Sequence, residues 1–214
     1  MIAASDTTAG LVSPMMSCIT ERKNVYSKLM LEISDFDSSG RLSRPVALYD
    51  ETNIMPYFKA CVYETLRLFP PTPIILPRMV CKGGLNLGDI YLPEGTEIGA
   101  NPWLTNRNQD IFGEDADAFR PERWLESAEK SKEMEKYTFT FGYGGRACIG
   151  KNLAQFEAQK LCLQVSDCPR SIIHNQADYC GLPSSSEISI FGRLNQQNPG
   201  DPMTGESAST KISG

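Results

Sequence analysis

The chain is poor in histidine: His174 stands alone among 214 residues. A Cys/His zinc site is therefore poorly supported. Seven cysteines are present, an odd number, and no two form a C-x-x-C pair, so a disulfide framework is not expected. Nowhere does an apolar run approach the roughly 18 residues that a membrane-crossing helix needs. The N-terminus also lacks the basic-then-apolar order of a signal peptide. Acidic residues outnumber basic ones, 26 to 21, for a net charge of −5, which argues against nucleic acid as a partner. What remains is the profile of a globular chain with reduced thiols, as in the cytosol. Its length and its 41% hydrophobic content suffice for one domain with a sizeable core.

The most informative stretch is Phe141 to Gly150, FGYGGRACIG. Cys148 sits among Gly142, Gly144 and Gly145, with Arg146 two residues before it and a helical pattern directly after. Each feature has a use if Cys148 is the thiolate ligand of an iron. Glycines let the backbone pass close to a flat cofactor and adopt positive φ. Freed backbone amides stabilise a sulfur anion and tune its metal. The N-terminus of the following helix lowers the thiol pKa. Arg146 can neutralise an anionic cofactor edge. The alternative is a buried structural cysteine in a glycine-rich turn.

The stretch satisfies F-x-x-G-x-R-x-C-x-G through Phe141, Gly144, Arg146, Cys148 and Gly150. It resembles the haem-binding loop of the cytochromes P450, the haem-thiolate monooxygenases. The resemblance implies haem as cofactor, Cys148 as its metal ligand, and Phe141, Gly142, Gly144, Arg146 and Gly150 as cofactor-binding residues.

Earlier in the chain, Met1 to Ile19 is apolar on most sides, as a buried helix would be. Within it lies AASDTT, residues 3–8. Ser, Thr and Asp are odd in mid-helix, because they compete with the backbone for hydrogen bonds. By spacing alone this reads as a cap beside the chain start, or as a groove in which Thr7 and Asp6 relay protons. The stretch is similar to the family's A-G-x-[DE]-T-[ST], with Ala4 in place of glycine. The resemblance implies that Thr7 and Asp6 are the catalytic pair. Pro14 should kink or split the helix. Glu21 to Ile33 reads as a second helix through Val25, Leu29 and Ile33, and residues 34–52 as a loop.

Pro56 to Leu68 is a third helix, with Pro56 in its first turn and Phe58, Cys61, Val62, Thr65, Leu66 and Phe69 on its buried side. Glu64 and Arg67 are spaced i, i+3; alone, such a pair is usually solvated surface. Here it resembles the family's E-x-x-R. Four prolines keep residues 70–78 extended. By resemblance this segment lines the substrate side of the haem: Arg78 binds a propionate, and Ile74, Ile75 and Leu76 touch substrate. Residues 79–101 read as a small antiparallel sheet. Asn106-Arg107 stands where the family usually has histidine before that arginine. Phe119-x-Pro121-Glu122-Arg123-Trp124 looks like F-x-P-E-R-F, which implies a buried triad of Arg123, Glu64 and Arg67, a lock on the fold rather than a catalytic device. Residues 126–136 read as a charged, solvated segment. Lys151 to Leu163 is helical, with Leu153, Phe156 and Leu161 expected inside.

The expected fold is mainly α with a small antiparallel β-sheet, the C-terminal portion of the cytochrome P450 fold, most similar to fungal members. Residues 1–163 form the haem-binding part. Residues 164–214 are polar, rich in Gly, Pro and Ser, and expected to be a disordered tail with His174 exposed. Family members are far longer and anchored in the endoplasmic-reticulum membrane. The resemblance therefore implies a truncated chain without anchor or most of the substrate lid, cytosolic as it stands. Two functions follow from it. One is hydroxylation of a small apolar organic substrate, in secondary metabolism, with electrons from NADPH-cytochrome P450 reductase. The other is a non-catalytic remnant or haem-binding fragment, its site too open to exclude water.

Overall fold

A computed structural model describes residues 2–43 and 47–166. Of the expected tail, residues 164–166 are described and helical; the rest, with His174, lies outside the described residues. The architecture is mainly helical with short antiparallel ladders, as expected.

Helix α1, Ile2–Glu21, is not split at Pro14, where a kink or a split was expected. Proline in a helix interior costs about 3 kcal/mol or more. Burial of Leu11, Met15, Cys18 and Ile19 outweighs this, at roughly 1.5–3 kcal/mol for each large apolar side chain. The chain breaks instead at Arg22, whose backbone is extended. Helix α2, Lys23–Ser38, then buries Val25, Leu29, Ile33 and Phe36. It outlasts the expected boundary because Phe36 continues the same apolar face.

The expected loop before Pro56 also contains a short helix, α3, Tyr49–Asn53. Helix α4, Pro56–Leu68, is the core element, with ten of its thirteen residues buried. Its N-terminus is capped from outside. Glu32 of α2 accepts from the Tyr57 and Phe58 amides, each at 2.8 Å, donors that a helix start leaves unpaired. Helix α4 ends before Pro70, and the extended segment beyond it leads to the strands.

The strands form two separate ladders rather than one sheet. Strand β1, Arg78–Met79, pairs with β4, Glu97–Ile98. Strand β2, Leu85–Leu87, pairs with β3, Ile90–Leu92. Two one-turn helices follow, α5 (Pro102–Thr105) and α6 (Gln109–Phe112), each started by an asparagine: Asn101 accepts from the Trp103 amide and Asn108 from the Asp110 amide. A 3₁₀ turn, Pro121–Leu125, packs against α4. Helix α7, Ala128–Tyr137, occupies the segment expected to be merely solvated. Ser127 caps it by accepting from the Lys130 amide, and Met134 is fully buried. One internal methionine and a cap thus suffice to order a charged sequence.

Helix α8, Lys151–Ser166, follows the cysteine loop. Its inner residues are Ala158, Gln159, Cys162 and Leu163, whereas Leu153, Phe156 and Leu161 are exposed. The expected face was wrong because α8 packs through small and polar side chains. Gln159 accepts from Thr52 Oγ1 at 2.9 Å, while Leu153 and Leu161 border cavities and Phe156 packs on the Tyr49 ring.

Candidate active site

Glu64, Arg67 and Arg123 are fully buried, although the i, i+3 spacing by itself predicts a surface pair. Glu64 Oε1 accepts from Arg67 at 2.8 Å and from Arg123 Nε at 2.9 Å. Its Oε2 accepts from Arg67 Nε and Trp124 Nε1, both at 2.9 Å. The Arg120 amide adds a further bond at 2.9 Å. The remaining guanidinium donors go to carbonyls and, from Arg123, also to the Asp115 carboxylate at 3.0 Å. Arg67 reaches Asn106 O at 2.8 Å and Ala116 O at 2.5 Å; Arg123 reaches Phe112 O and Asp115 O. Such complete satisfaction is what makes a buried charge cluster tolerable. The triad fixes α4, the 3₁₀ turn and the loop around Ala116 as one unit.

The cysteine loop hangs from that unit. Phe139 to Phe141 passes the C-terminal end of α4, where Thr140 Oγ1 donates to Leu66 O at 2.6 Å. Gly142 and Gly144 have φ of 68° and 67°, the left-handed region that favours glycine. These two turns bring the chain back, and the Cys148 amide donates to Phe141 O at 2.8 Å. Helix α8 starts at Lys151, three residues beyond, so its positive end lies near the sulfur.

The loop and α1 together border a cavity of about 390 Å³. On the loop side stand Phe141, Arg146, Cys148 and Gly150. On the α1 side stand Thr7, Thr8 and Leu11. Leu66, Leu76, Phe139 and Leu153 contribute apolar wall. Cys148 is exposed, and Arg146 has no ion pair among the described residues. Gly150 is placed so that a side-chain methyl would stand 3.8 Å from Cys148 Sγ. A smaller cavity of about 230 Å³ lies behind the loop, bordered by Gly142, Gly144, Tyr63 and Trp124.

Predicted residues thus fall into three groups. Thr7, Phe141, Arg146, Cys148 and Gly150 border the main cavity. Gly142 and Gly144 shape the turn from behind. Asp6 and Arg78 are exposed and off the cavity wall; Arg78 donates to the carbonyls of Leu76 and Pro77. Of the three aliphatic residues expected at substrate, only Leu76 borders the cavity, while Ile74 and Ile75 are exposed. Glu157 was not foreseen. It borders the cavity and accepts from Thr8 Oγ1 at 3.2 Å. Its place one residue before the buried Ala158 gave no signal in the sequence.

Among the described residues no three His, Cys, Asp or Glu side chains gather as a metal cage. The exposed Cys148 thiol, the apolar walls and Arg146, which has no ion pair among the described residues, fit a flat apolar macrocycle with an anionic edge. The site could hold such a group through one sulfur. The cytochrome P450 family matches residues 1–165, and the chain belongs to that family. It is 41% identical over 161 residues to a cytochrome P450 monooxygenase of Aspergillus flavus, covering 75% of this chain and 32% of that protein. It is 41% identical over 159 residues to the cytochrome P450 monooxygenase cicH of Emericella nidulans, covering 74% of this chain and 32% of that one. Against the monooxygenase mpaDE of Penicillium roqueforti the identity is 41% over 162 residues, 75% of this chain and 19% of the relative. The chain thus spans about a third or less of these relatives' length. No helix among the described residues is long and apolar enough to cross a membrane.

Proposed function

We propose that residues 1–163 form the haem-thiolate site of a cytochrome P450 monooxygenase that hydroxylates a small apolar organic substrate, in secondary metabolism. The observation that carries this reading is the single cavity bordered by Cys148 on one side and Thr7 on the other. Bound haem supplies dioxygen activation and oxygen transfer, with electrons from NADPH-cytochrome P450 reductase. The chain's own residues do the rest. Cys148 would bind the metal through its sulfur. Arg146 pairs with the anionic edge, as does Arg78 after turning from its own backbone carbonyls. Leu66, Phe139, Phe141 and Leu153 keep water from the macrocycle face. Gly150 leaves the sulfur uncrowded. The Thr7 hydroxyl holds a proton at its oxygen, and Asp6 on the exposed side of α1 replenishes it from solvent.

A non-catalytic haem-binding fragment is the second reading. It is favoured by the exposure of Arg146, Cys148 and Ile149, because an open site does not exclude water from the reaction.

Reconstitution with haem, reduction and addition of carbon monoxide tests both. A red-shifted Soret band reports thiolate ligation; an unshifted band overturns it. Substrate-dependent NADPH consumption with reductase then separates enzyme from fragment.

A further inference from the structure

Asn106 is fully buried. Its side chain joins three separate places. The amide Nδ2 donates to Arg67 O at 3.0 Å and to Thr140 Oγ1 at 3.0 Å. The carbonyl Oδ1 accepts from the Phe139 amide at 2.7 Å. Both protons and the oxygen are thus used, and the backbone carbonyl takes a fourth bond, from Arg67 at 2.8 Å. Thr140 passes the link on by donating to Leu66 O at 2.6 Å.

What Asn106 grips matters more than the number of bonds. Phe139 and Thr140 border the main cavity, and the next residue, Phe141, accepts from the Cys148 amide at 2.8 Å. The Phe139–Phe141 arm carries the cysteine turn, and Asn106 fixes that arm to the buried triad through Arg67. No other side chain bonds the Phe139 amide among the described residues. A buried amide that loses its partner is costly, so the arm has one favoured register while Asn106 is present.

We infer that Asn106 is a positioning residue of the cysteine loop: it sets the height of Cys148 over the cavity by clamping Phe139 and Thr140 to the end of α4. The assignment rests on the haem-thiolate reading for its consequence, but not for its geometry. It also gives a role to the position where the family usually carries histidine. Imidazole offers one donor and one acceptor, enough for the Phe139 amide and one of the two oxygens.

The test compares Asn106→Leu, which fills the space without polar atoms, Asn106→His, and Thr140→Val, which removes one hydroxyl and keeps the shape. Amide hydrogen exchange on the protein without haem is read first. Asn106→Leu should speed exchange at Phe139 and Cys148 by about tenfold or more, the scale of one lost buried hydrogen bond, while Leu29 in α2 stays within about twofold. Thr140→Val should show a smaller change with the same pattern. On haem reconstitution with carbon monoxide, Asn106→Leu should move much of the Soret intensity from the red-shifted to the unshifted position, and Asn106→His should restore it. The inference is overturned if exchange at Phe139 is unchanged. It is equally overturned if exchange rises alike at Phe139 and Leu29, or if the band of Asn106→Leu matches wild type. A wild-type protein lacking the red-shifted band defeats the proposed function instead, and the exchange pattern still decides the clamp. If Asn106→Leu does not fold, Thr140→Val carries the same criteria.

Discussion

Arg67 and Arg123, 56 positions apart in the chain, bond the same oxygen of Glu64, at 2.8 and 2.9 Å. One carboxylate thus holds two cations away from water. Replacing it leaves Arg67 without a carboxylate and Arg123 with only that of Asp115, at 3.0 Å, and breaking a buried pair from one side costs about 3–5 kcal/mol. Glu64→Gln should lose stability on that scale in urea unfolding, read as a fall in midpoint. Lys28→Met, which breaks the half-exposed pair with Glu122 at 2.6 Å, should lose less than about 1 kcal/mol. Similar losses in the two variants would show that the triad is not a lock. Arg67→Lys should resemble loss rather than repair, because one ammonium cannot serve the five bonds that the guanidinium makes.

The triad also marks where sequence reading succeeds and where it stops. Glu64 and Arg67 lie on one helix, so their pairing is readable from i, i+3 spacing, but burial is not, because it depends on Arg123 and Trp124 arriving from a distant turn. Cys148 and its glycines were legible because the chemistry is compressed into ten residues. Asn106 was visible only as a departure from a pattern, since its partners at 67, 139 and 140 are brought together by the fold. Helix α8 misled for a related reason. Its large apolar residues suggested a core face, yet Leu153 borders a cavity that only tertiary structure creates. Helix α7 was underrated because one buried methionine gives no periodic signal.

The cysteines should differ sharply in reactivity. Burial pushes the Cys18 thiol up to about 11 and Cys162 to about 12, and raises Cys61 further still. The thiolate is the reactive form, so these three should resist alkylation in the native state at pH 8. Cys81 and Cys148 are exposed and should be modified first. Peptide mass spectrometry after a short iodoacetamide pulse reads the order. Early labelling of Cys61 would place it outside the core and weaken the choice of Cys148 over it. In the haem-loaded protein Cys148 alone of the exposed pair should become protected, and Cys148→Ser should lose the red-shifted carbon monoxide band that Cys61→Ser keeps.

Acid should weaken the junction between α2, α4 and the 3₁₀ turn. Burial tends to raise the Glu122 carboxyl, but hydrogen bonds from Lys28 and Tyr57, with the lysine charge, outweigh it and hold the pKa below the usual carboxylate value. A lowered folded-state pKa means that the unfolded chain binds the proton more readily. The stabilisation is therefore fully present above the unfolded value of about 4.3 and is lost as pH falls through the folded one. The size is below about 1 kcal/mol for a group this exposed. Lys28→Met should flatten the acid limb of a stability-against-pH curve and leave the neutral plateau nearly as high. A steeper acid limb in the variant would contradict the sign.

The glycines of the cysteine turn should not be equivalent. Gly142 and Gly144 have positive φ, whereas Gly145 does not. Space is not the constraint at any of them. A methyl at Gly142 would come no nearer than 3.8 Å to Arg146 O, and at Gly144 and Gly145 it would meet nothing within 4 Å. Only backbone conformation separates them, and a left-handed residue with a Cβ costs roughly 1–2 kcal/mol. Gly142→Ala and Gly144→Ala should each lose about that much in urea unfolding, while Gly145→Ala should be close to neutral. Because the strained residues precede the Cys148 amide that bonds Phe141 O, the first two should also shift haem ligation toward the unshifted Soret form. A ranking in which Gly145→Ala is the worst of the three would mean that the turn takes another shape around the sulfur.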